Sequence, residues 1–293
     1  MVLKKSFGQE QETFVVKDIH FSYDFLYDVY EYTRMDSIVA ERLTSSKRIY
    51  NIYGTCGVGI MSEFFPHGHI EAFTLRDDHG KRQFMDQNDD TEGPLICYNN
   101  LSGLAKLELA AHMADALADL HGYTGGVIVH QDVKLDQFFL NADKTGVVLN
   151  DFNRAEFMLW DDYEEQYCPY REGFGAGNWR SPEEYYDEYL TEKVDVYSLG
   201  NNMYGLLTGL MAFEEADSYD EVQDHVRAGE RPYIDPRYEE RSLAEAKLVE
   251  VIDKCHEYYP EDRPSIFEVV DILWQALEEI YDEMDRLKTV SKS

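Results

Sequence analysis

The sequence is short of cysteine, of basic residues and of long apolar runs, and each shortage excludes something. Its four cysteines, Cys56, Cys97, Cys168 and Cys255, are scattered, with no Cys-x-x-Cys pair to build a zinc or redox site. Unpaired, buried thiols in a reducing compartment are the plain reading. No apolar run reaches the roughly 18 residues that a bilayer-spanning helix needs. The start, Met1-Val2-Leu3-Lys4-Lys5, lacks the apolar core of a secretory signal. Together these favour a cytoplasmic place for the chain. Lys and Arg number 27 against 58 Asp and Glu, a net charge of −31. That balance speaks against a nucleic-acid partner, which needs clustered Lys and Arg to displace counterions, and against docking on anionic membrane. A basic protein partner is compatible with it, and so is plain solubility.

What is present is enough for a packed protein. The 293 residues allow one large domain or two small ones. A chain of this length buries a core without disulfide or metal staples. With 44% apolar and 14% aromatic residues it is no disordered acidic tail.

The pattern along the chain divides it in two. Residues 13–19, Thr-Phe-Val-Val-Lys-Asp-Ile, are rich in β-branched and aromatic residues and predict a strand. Residues 24–43 read as a helix. Ile49–Gly54 and Gly59–Phe64 read as strands joined by a glycine-containing turn. Residues 76–94 are polar loop, in the manner of an insertion. From about residue 101 the chain turns helical, with Leu104, Leu107, Ala111, Ala114, Leu117 and Ala118 on one stripe. Val127–Val129 and Val147–Leu149 fit short buried strands. A helix is expected over 193–208, and a last one begins at Ser265, where Ser265 and Glu268 match a capping box. No internal repeat is visible. The expectation is a strand-rich N-terminal lobe over 1–64 and a larger helical C-terminal lobe over 65–293.

The chemistry concentrates in His130-Gln131-Asp132-Val133-Lys134-Leu135-Asp136-Gln137 and in Asn150-Asp151-Phe152-Asn153. The two short strands bracketing the loop between these segments present Asp132 and Asp151 on neighbouring turns. Phosphoryl transfer needs such a pair. One carboxylate orients the attacking hydroxyl and takes its proton, and the other holds Mg²⁺ against the phosphates. Lys134 is placed to neutralise charge on the transferring group.

At these residues the sequence resembles the eukaryotic protein kinase family. His130–Lys134 is similar to the H-R-D-L-K catalytic loop and Asp151-Phe152-Asn153 to D-F-G. Ser181-Pro182-Glu183 is similar to A-P-E, Asp195–Gly200 to D-x-W-S-L-G, and Pro260–Pro264 to P-x-x-R-P. These five motifs, in family order, cover roughly residues 13–280. The runs Glu41–Ser46 and Asn150–Arg154 also resemble kinase-like proteins of diatoms. The resemblance implies an α+β, two-lobed kinase-like fold, ATP and Mg²⁺ as cofactors, and a protein hydroxyl as acceptor, with Lys134 resembling Ser/Thr-type loops. It implies Lys17 on the α- and β-phosphates, with Lys4 and Lys5 as rivals. Asp36 pairs with that lysine, and Glu41 is the alternative. Ser62 is the gatekeeper, and Glu63, Phe64 and Phe65 bind the adenine edge through their backbone. Asp132 is the base and Lys134 the charge stabiliser, while Asp151 and Gln137 hold the metal. Glu183 and Arg263 form a buried anchoring pair, and Asp195 holds the catalytic-loop backbone.

Four departures stand against this pattern. No G-x-G-x-x-G precedes Lys17, so the family's first strand and its phosphate-covering loop are expected to be absent or cut off. The metal-binding Asn is Gln137, longer by a methylene, where Mg²⁺ wants tight geometry. The glycine of D-F-G is Asn153, a residue that tolerates positive φ. The arginine of H-R-D is Gln131, which cannot read a phosphate on the activation segment. That segment is also acidic, with Asp161, Asp162, Glu164, Glu165 and Glu172 around Tyr163, Tyr167 and Tyr170. It reads either as a solvated loop or as a selector of basic substrates. The alternative to catalysis is a pseudokinase, a nucleotide-binding or scaffold module. A small-molecule kinase is a third class, opposed by the three later motifs.

Overall fold

A computed structural model of the chain describes residues 2–7, 10–18, 26–75, 95–172, 177–186 and 188–290, with residues 2–7, 10–12 and 290 as backbone only. Ile19, residues 24–25, Gly8 and the polar stretch 76–94 of the sequence reading lie outside the described residues.

The N-terminal lobe is an antiparallel sheet with one helix on it. Strands β1 (Val2–Phe7), β2 (Glu10–Lys17), β3 (Ile52–Cys56) and β4 (Gly59–Glu63) take the order β1-β2-β4-β3. β1 precedes the Lys17 strand and pairs with it from Val2 opposite Val15 to Phe7 opposite Glu10. Between β2 and β3 runs helix α1 (Tyr27–Arg42), whose buried positions are Asp36, Val39 and Ala40. These recur at i, i+3 and i+4, one stripe of a helix turned to a core. Ile49, expected to open β3, instead makes a single parallel bridge to Leu149 and stitches the lobes together.

The larger lobe is helical. After the one-turn α2 (Glu71–Thr74) comes α3 (Gly103–His121), started by Ser102, whose hydroxyl accepts the Ala105 N–H at 3.2 Å. Three two-stranded antiparallel sheets follow from short strands. β5 (Val127–Val129) pairs with β8 (Glu156–Met158), β6 (Phe138–Leu140) with β7 (Val147–Leu149), and β9 (Trp160–Asp161) with β10 (Gln166–Tyr167).

Helix α4 (Lys193–Thr208) is buried from Val194 to Thr208, its polar Asp195, Ser198, Asn201 and Asn202 included. It ends at Gly209, whose φ of 83° is left-handed and where a Cβ would strike the Tyr98 backbone at 2.8 Å. Helices α5 (Tyr219–Arg227), α6 (Arg237–Arg241) and α7 (Leu243–Cys255) complete the lobe with α8 (Ile266–Val290). The capping box read at Ser265 is formed: its N–H donates to Glu268 at 2.8 Å and Glu268 N–H returns to its hydroxyl at 3.3 Å. The main core joins Leu107, Ala111, Met113 and Leu117 of α3 to Leu199 and Met203 of α4, Leu248 and Ile252 of α7, and Leu273 and Leu277 of α8. The result is the two-lobed α+β architecture that the sequence reading expects, with β6 and β7 holding the Asp132 and Asp151 turns side by side. Among the described residues no helix is long and apolar enough to cross a membrane.

Candidate active site

Lys17 ends β2 opposite Ile60 of β4, two residues from the Val15–Ser62 pair. Alternation along paired strands puts Lys17 and Ser62 on the same side of the sheet. The Lys17 ammonium sits 3.2 Å from Asp36 Oδ2 and also meets Asp151 Oδ1. Burial acts to lower its pKa, but the Asp36 and Asp151 carboxylates outweigh that and hold it above the ordinary lysine range.

Asp36 is 1% exposed and fully engaged. Its Oδ1 accepts the Tyr50 hydroxyl at 2.8 Å and the Phe152 backbone N–H at 2.9 Å. Burial and then Asp36 raise the Tyr50 pKa, so the phenol stays protonated and donates. The short aspartate therefore makes its ion pair directly, and Glu41, the alternative, is exposed.

The Asp132 carboxylate is held from three directions. The Lys134 ammonium lies 3.2 Å from Oδ2, while the Trp179 indole N–H donates to Oδ1 at 3.1 Å and Arg180 stands 3.6 Å from Oδ1. Lys134 also lies 5.1 Å from the centre of the Trp179 ring, a cation–π distance. Trp179 is the residue that sequence reading missed. It lies two positions before the Ser181-Pro182-Glu183 motif, and an indole there carries no motif of its own.

Below this, Asp195 is fully buried. It accepts the backbone N–H of His130 at 2.7 Å and of Gln131 at 2.8 Å, and bonds His121 Nε2 at 2.9 Å. Arg263 grips Glu183 with two bonds of 2.6 and 2.8 Å, both residues buried.

Asp151 lies beside these groups in the left-handed region, φ 63° and ψ 60°. The Gln137 amide nitrogen is 3.4 Å from its Oδ2. Asn153 does not take positive φ. It sits in a right-handed 3-10 turn over Phe152–Arg154, so the backbone freedom sought at Asn153 is used by Asp151 instead. Gln131 is also left-handed, φ 64°, and buried, and its Oε1 has no hydrogen-bond partner among the described residues. The Arg180 guanidinium donates to the Gln131 carbonyl at 3.3 Å and pairs with Glu184 at 2.8 Å.

At the lobe connection Ser62 is 7% exposed. Glu63 turns back, its N–H donating to the Asn51 carbonyl at 3.0 Å and its carboxylate accepting the Asn51 N–H at 2.7 Å. Burial raises the Glu63 pKa against those bonds. Phe64 is half-exposed, and Phe65 packs on Phe139 with ring centres 5.2 Å apart. The Phe65 carbonyl accepts the Gly68 N–H at 3.3 Å.

A small cavity of about 70 Å³ opens beside Lys134 and Trp179, with Glu71 at its wall. Burial and then the Asp136 charge raise the Glu71 pKa. The acidic run Asp162–Glu165 projects into solvent on the β9–β10 hairpin, with Tyr163 90% exposed. Residues 173–176 of the segment lie outside the described residues.

A family model described as Protein kinase domain matches residues 100–275. The chain belongs to the protein kinase domain family. It is 26% identical over 182 residues to a Dictyostelium discoideum protein named as a probable serine/threonine-protein kinase, roco5, covering 59% of this chain and 6% of that protein. It is 28% identical over 179 residues to calmodulin-binding receptor-like cytoplasmic kinase 2 of Arabidopsis thaliana, covering 58% and 43%. With mitogen-activated protein kinase kinase kinase 7 of Drosophila melanogaster it shares 23% over 170 residues, covering 58% and 23%. The chain thus spans less than half the length of each of these relatives. A slime mould, a plant and a fly share no one branch, so the likeness is to the kinase family at large.

Among the described residues of this kinase domain no group of three or more His, Cys, Asp and Glu converges on a metal position. Mg²⁺ in phosphoryl-transfer sites needs fewer protein ligands, usually one or two carboxylates with substrate phosphates and water. The Asp151 carboxylate and the Gln137 amide, whose oxygen reaches the same place by a flip of the group, are hard oxygen donors of the right kind. The donor set fits one such ion.

Proposed function

We propose that this kinase domain transfers the γ-phosphoryl group of ATP to a hydroxyl of a protein, of the Ser/Thr type. The observation that carries the proposal is the placement of Lys17 against both Asp36 and Asp151, with Asp132 and Lys134 on the adjoining turn. Lys17 would hold the phosphates and Asp36 would hold Lys17. Ser62 leaves space behind the adenine, whose edge would meet the backbone of Glu63, Phe64 and Phe65. Bound Mg²⁺ would shield the phosphate charge, held by Asp151 and Gln137. Asp132 would orient the acceptor hydroxyl and take its proton, and Lys134 would balance charge building on the transferring group.

The acceptor is a protein segment with basic residues. Glu71 lines the small cavity beside Lys134, and Asp136 stands 3.8 Å from the Lys134 ammonium, so acidic groups border the place where a basic side chain would sit. The four free cysteines suit a reducing, cytoplasmic setting. The runs Glu41–Ser46 and Asn150–Arg154, similar to kinase-like proteins of diatoms, are a proposal of lineage within the family.

One observation favours a second reading. The Lys17 ammonium contacts the Asp151 carboxylate that a metal would need, and a pseudokinase can rest in that state. ATP turnover and autophosphorylation with Mg²⁺ or Mn²⁺, wild type beside Asp132→Asn, separate the two. A signal lost in Asp132→Asn supports catalysis. Equal signals, or none from the wild type while nucleotide still raises its melting temperature, leave the pseudokinase.

A further inference from the structure

Helix α8 carries two apolar stripes with different fates. One, including Ile266, Val269, Leu273 and Leu277, is buried in the main core. The other passes through Phe267, Trp274 and Tyr281, which are 49%, 36% and 40% exposed, and goes on to Met284 at 38%. Phe267, Trp274 and Tyr281 recur every seven residues. That is the spacing by which one helix lies along another.

The same register puts Asp271, Glu278 and Asp285 in a single row, each four residues after one of the aromatics. A cleft of about 370 Å³ opens along the row, lined by Asp271, Trp274, Glu278, Tyr281 and Asp282. A second, of about 490 Å³, shares Trp274 and Tyr281 and reaches toward His112 and Lys144. The two ridge aromatics are already oriented. Trp274 Nε1 donates to Asp115 at 3.2 Å, and the Tyr281 hydroxyl bonds Glu108. Ordered aromatic anchors beside clefts lose little freedom when a partner arrives.

We propose that this face of α8 docks a basic amphipathic helix of a partner protein. The acidic row sets the sign of the partner, because residues flanking a helix–helix seam choose it by charge. It also disfavours a second copy of this chain. An antiparallel pairing sets the acidic row against itself, and a parallel one sets it against the exposed, apolar Leu287. Asp282 and Asp285 have exposed neighbours, Arg286 at 4.0 Å and Lys288 at 3.0 Å. Such pairs are weak, and Asp271 and Glu278 are the main selectors. The surface is independent of the phosphotransfer reading.

The test uses the full chain and a fluorescent 18-residue Leu/Lys peptide patterned as an amphipathic helix. A Leu/Glu peptide of the same pattern and a scrambled Leu/Lys peptide serve as comparisons. Binding is read by anisotropy, and folding of each variant by circular dichroism. Asp271→Lys with Glu278→Lys should weaken the patterned peptide about tenfold or more. Asp162→Lys with Glu164→Lys, the same charge change on the β9–β10 hairpin, should leave it within about twofold. Met284→Ser, which removes apolar contact and no charge, should also weaken it. The proposal is overturned if the hairpin variant weakens binding as much as the α8 variant, or if the scrambled peptide binds as tightly, since both mean unspecific attraction to an acidic protein. It is overturned equally if the patterned peptide fails to bind, or if sedimentation shows a dimer that the α8 variants dissolve.

Discussion

Asp36 and Phe152 are joined by a hydrogen bond of 2.9 Å, from the Phe152 backbone N–H to the Asp36 carboxylate. The bond ties the middle of α1 to the turn that carries Asp151. The other carboxylate oxygen holds Lys17. Asp36→Asn keeps an oxygen for the Phe152 N–H and removes the charge that faces Lys17. Its stability to urea should stay within about 1–2 kcal/mol of wild type, while the melting shift on adding nucleotide should shrink. Asp36→Ala leaves the Tyr50 hydroxyl and the Phe152 N–H without an acceptor. It should lose about 2–4 kcal/mol by the same measurement. Equal loss in both variants would mean that charge, rather than hydrogen bonding, holds the turn.

Trp179 is placed to orient both Asp132 and Lys134. Trp179→Phe removes the indole N–H and keeps a ring beneath the ammonium. If the domain transfers phosphate, its kcat should fall about tenfold, with the KM for ATP little changed. A loss of melting temperature as large as that from deleting the whole ring would show a packing role instead.

The Lys17–Asp36 pairing was expected through the family resemblance, and spacing supplied only the burial of Asp36. Asp36 stands three and four residues before the apolar Val39 and Ala40, so it must share their buried stripe. Asp195 and Glu183 with Arg263 were legible through their motifs. Trp179 was not, since its role depends on the approach of an indole to a carboxylate 47 positions away along the chain. Asn153 misled for a related reason. A glycine in a motif says that some residue of the turn needs freedom, and here Asp151 takes the left-handed conformation. Helices α5 to α7 went unread because no motif marks them and their boundaries depend on packing.

Arg263 and Glu183 form a doubly hydrogen-bonded pair in which neither side chain sees solvent. Glu183→Ala strands the guanidinium and should cost about 3–5 kcal/mol, as should Arg263→Ala. The double variant should cost much less than the sum, since no buried charge then remains. Chemical denaturation of the three variants measures the coupling directly.

Gln131 and Arg180 bear on regulation. Gln131 brings no charge, and the Arg180 guanidinium is already engaged with Glu184 and the Gln131 carbonyl. Phosphate added at Tyr163, on the exposed acidic hairpin, meets mainly carboxylates. Phosphorylation there should leave any transferase rate within about twofold and should not raise the melting temperature. A many-fold activation would refute this and point to a cation that the segment brings in from elsewhere.

His256 gives the fold a pH dependence of definite sign. Its ring is buried beside Tyr197, with centres 4.9 Å apart, and its Nε2 has no hydrogen-bond partner among the described residues. Burial first, then the charges of Arg231 and Arg263, push its pKa from the ordinary 6.5 down to about 3. Between those two values the unfolded chain binds a proton that the folded protein refuses. Stability from this group is therefore complete above pH 6.5 and is lost as the pH falls toward 3. The slope reaches at most about 1.4 kcal/mol per pH unit. His256→Phe keeps a flat ring beside Tyr197 and removes the proton site, so its stability should fall less steeply between pH 6 and 4 when both proteins are unfolded in urea. Parallel curves for the two proteins would assign the acid sensitivity to the carboxylates instead.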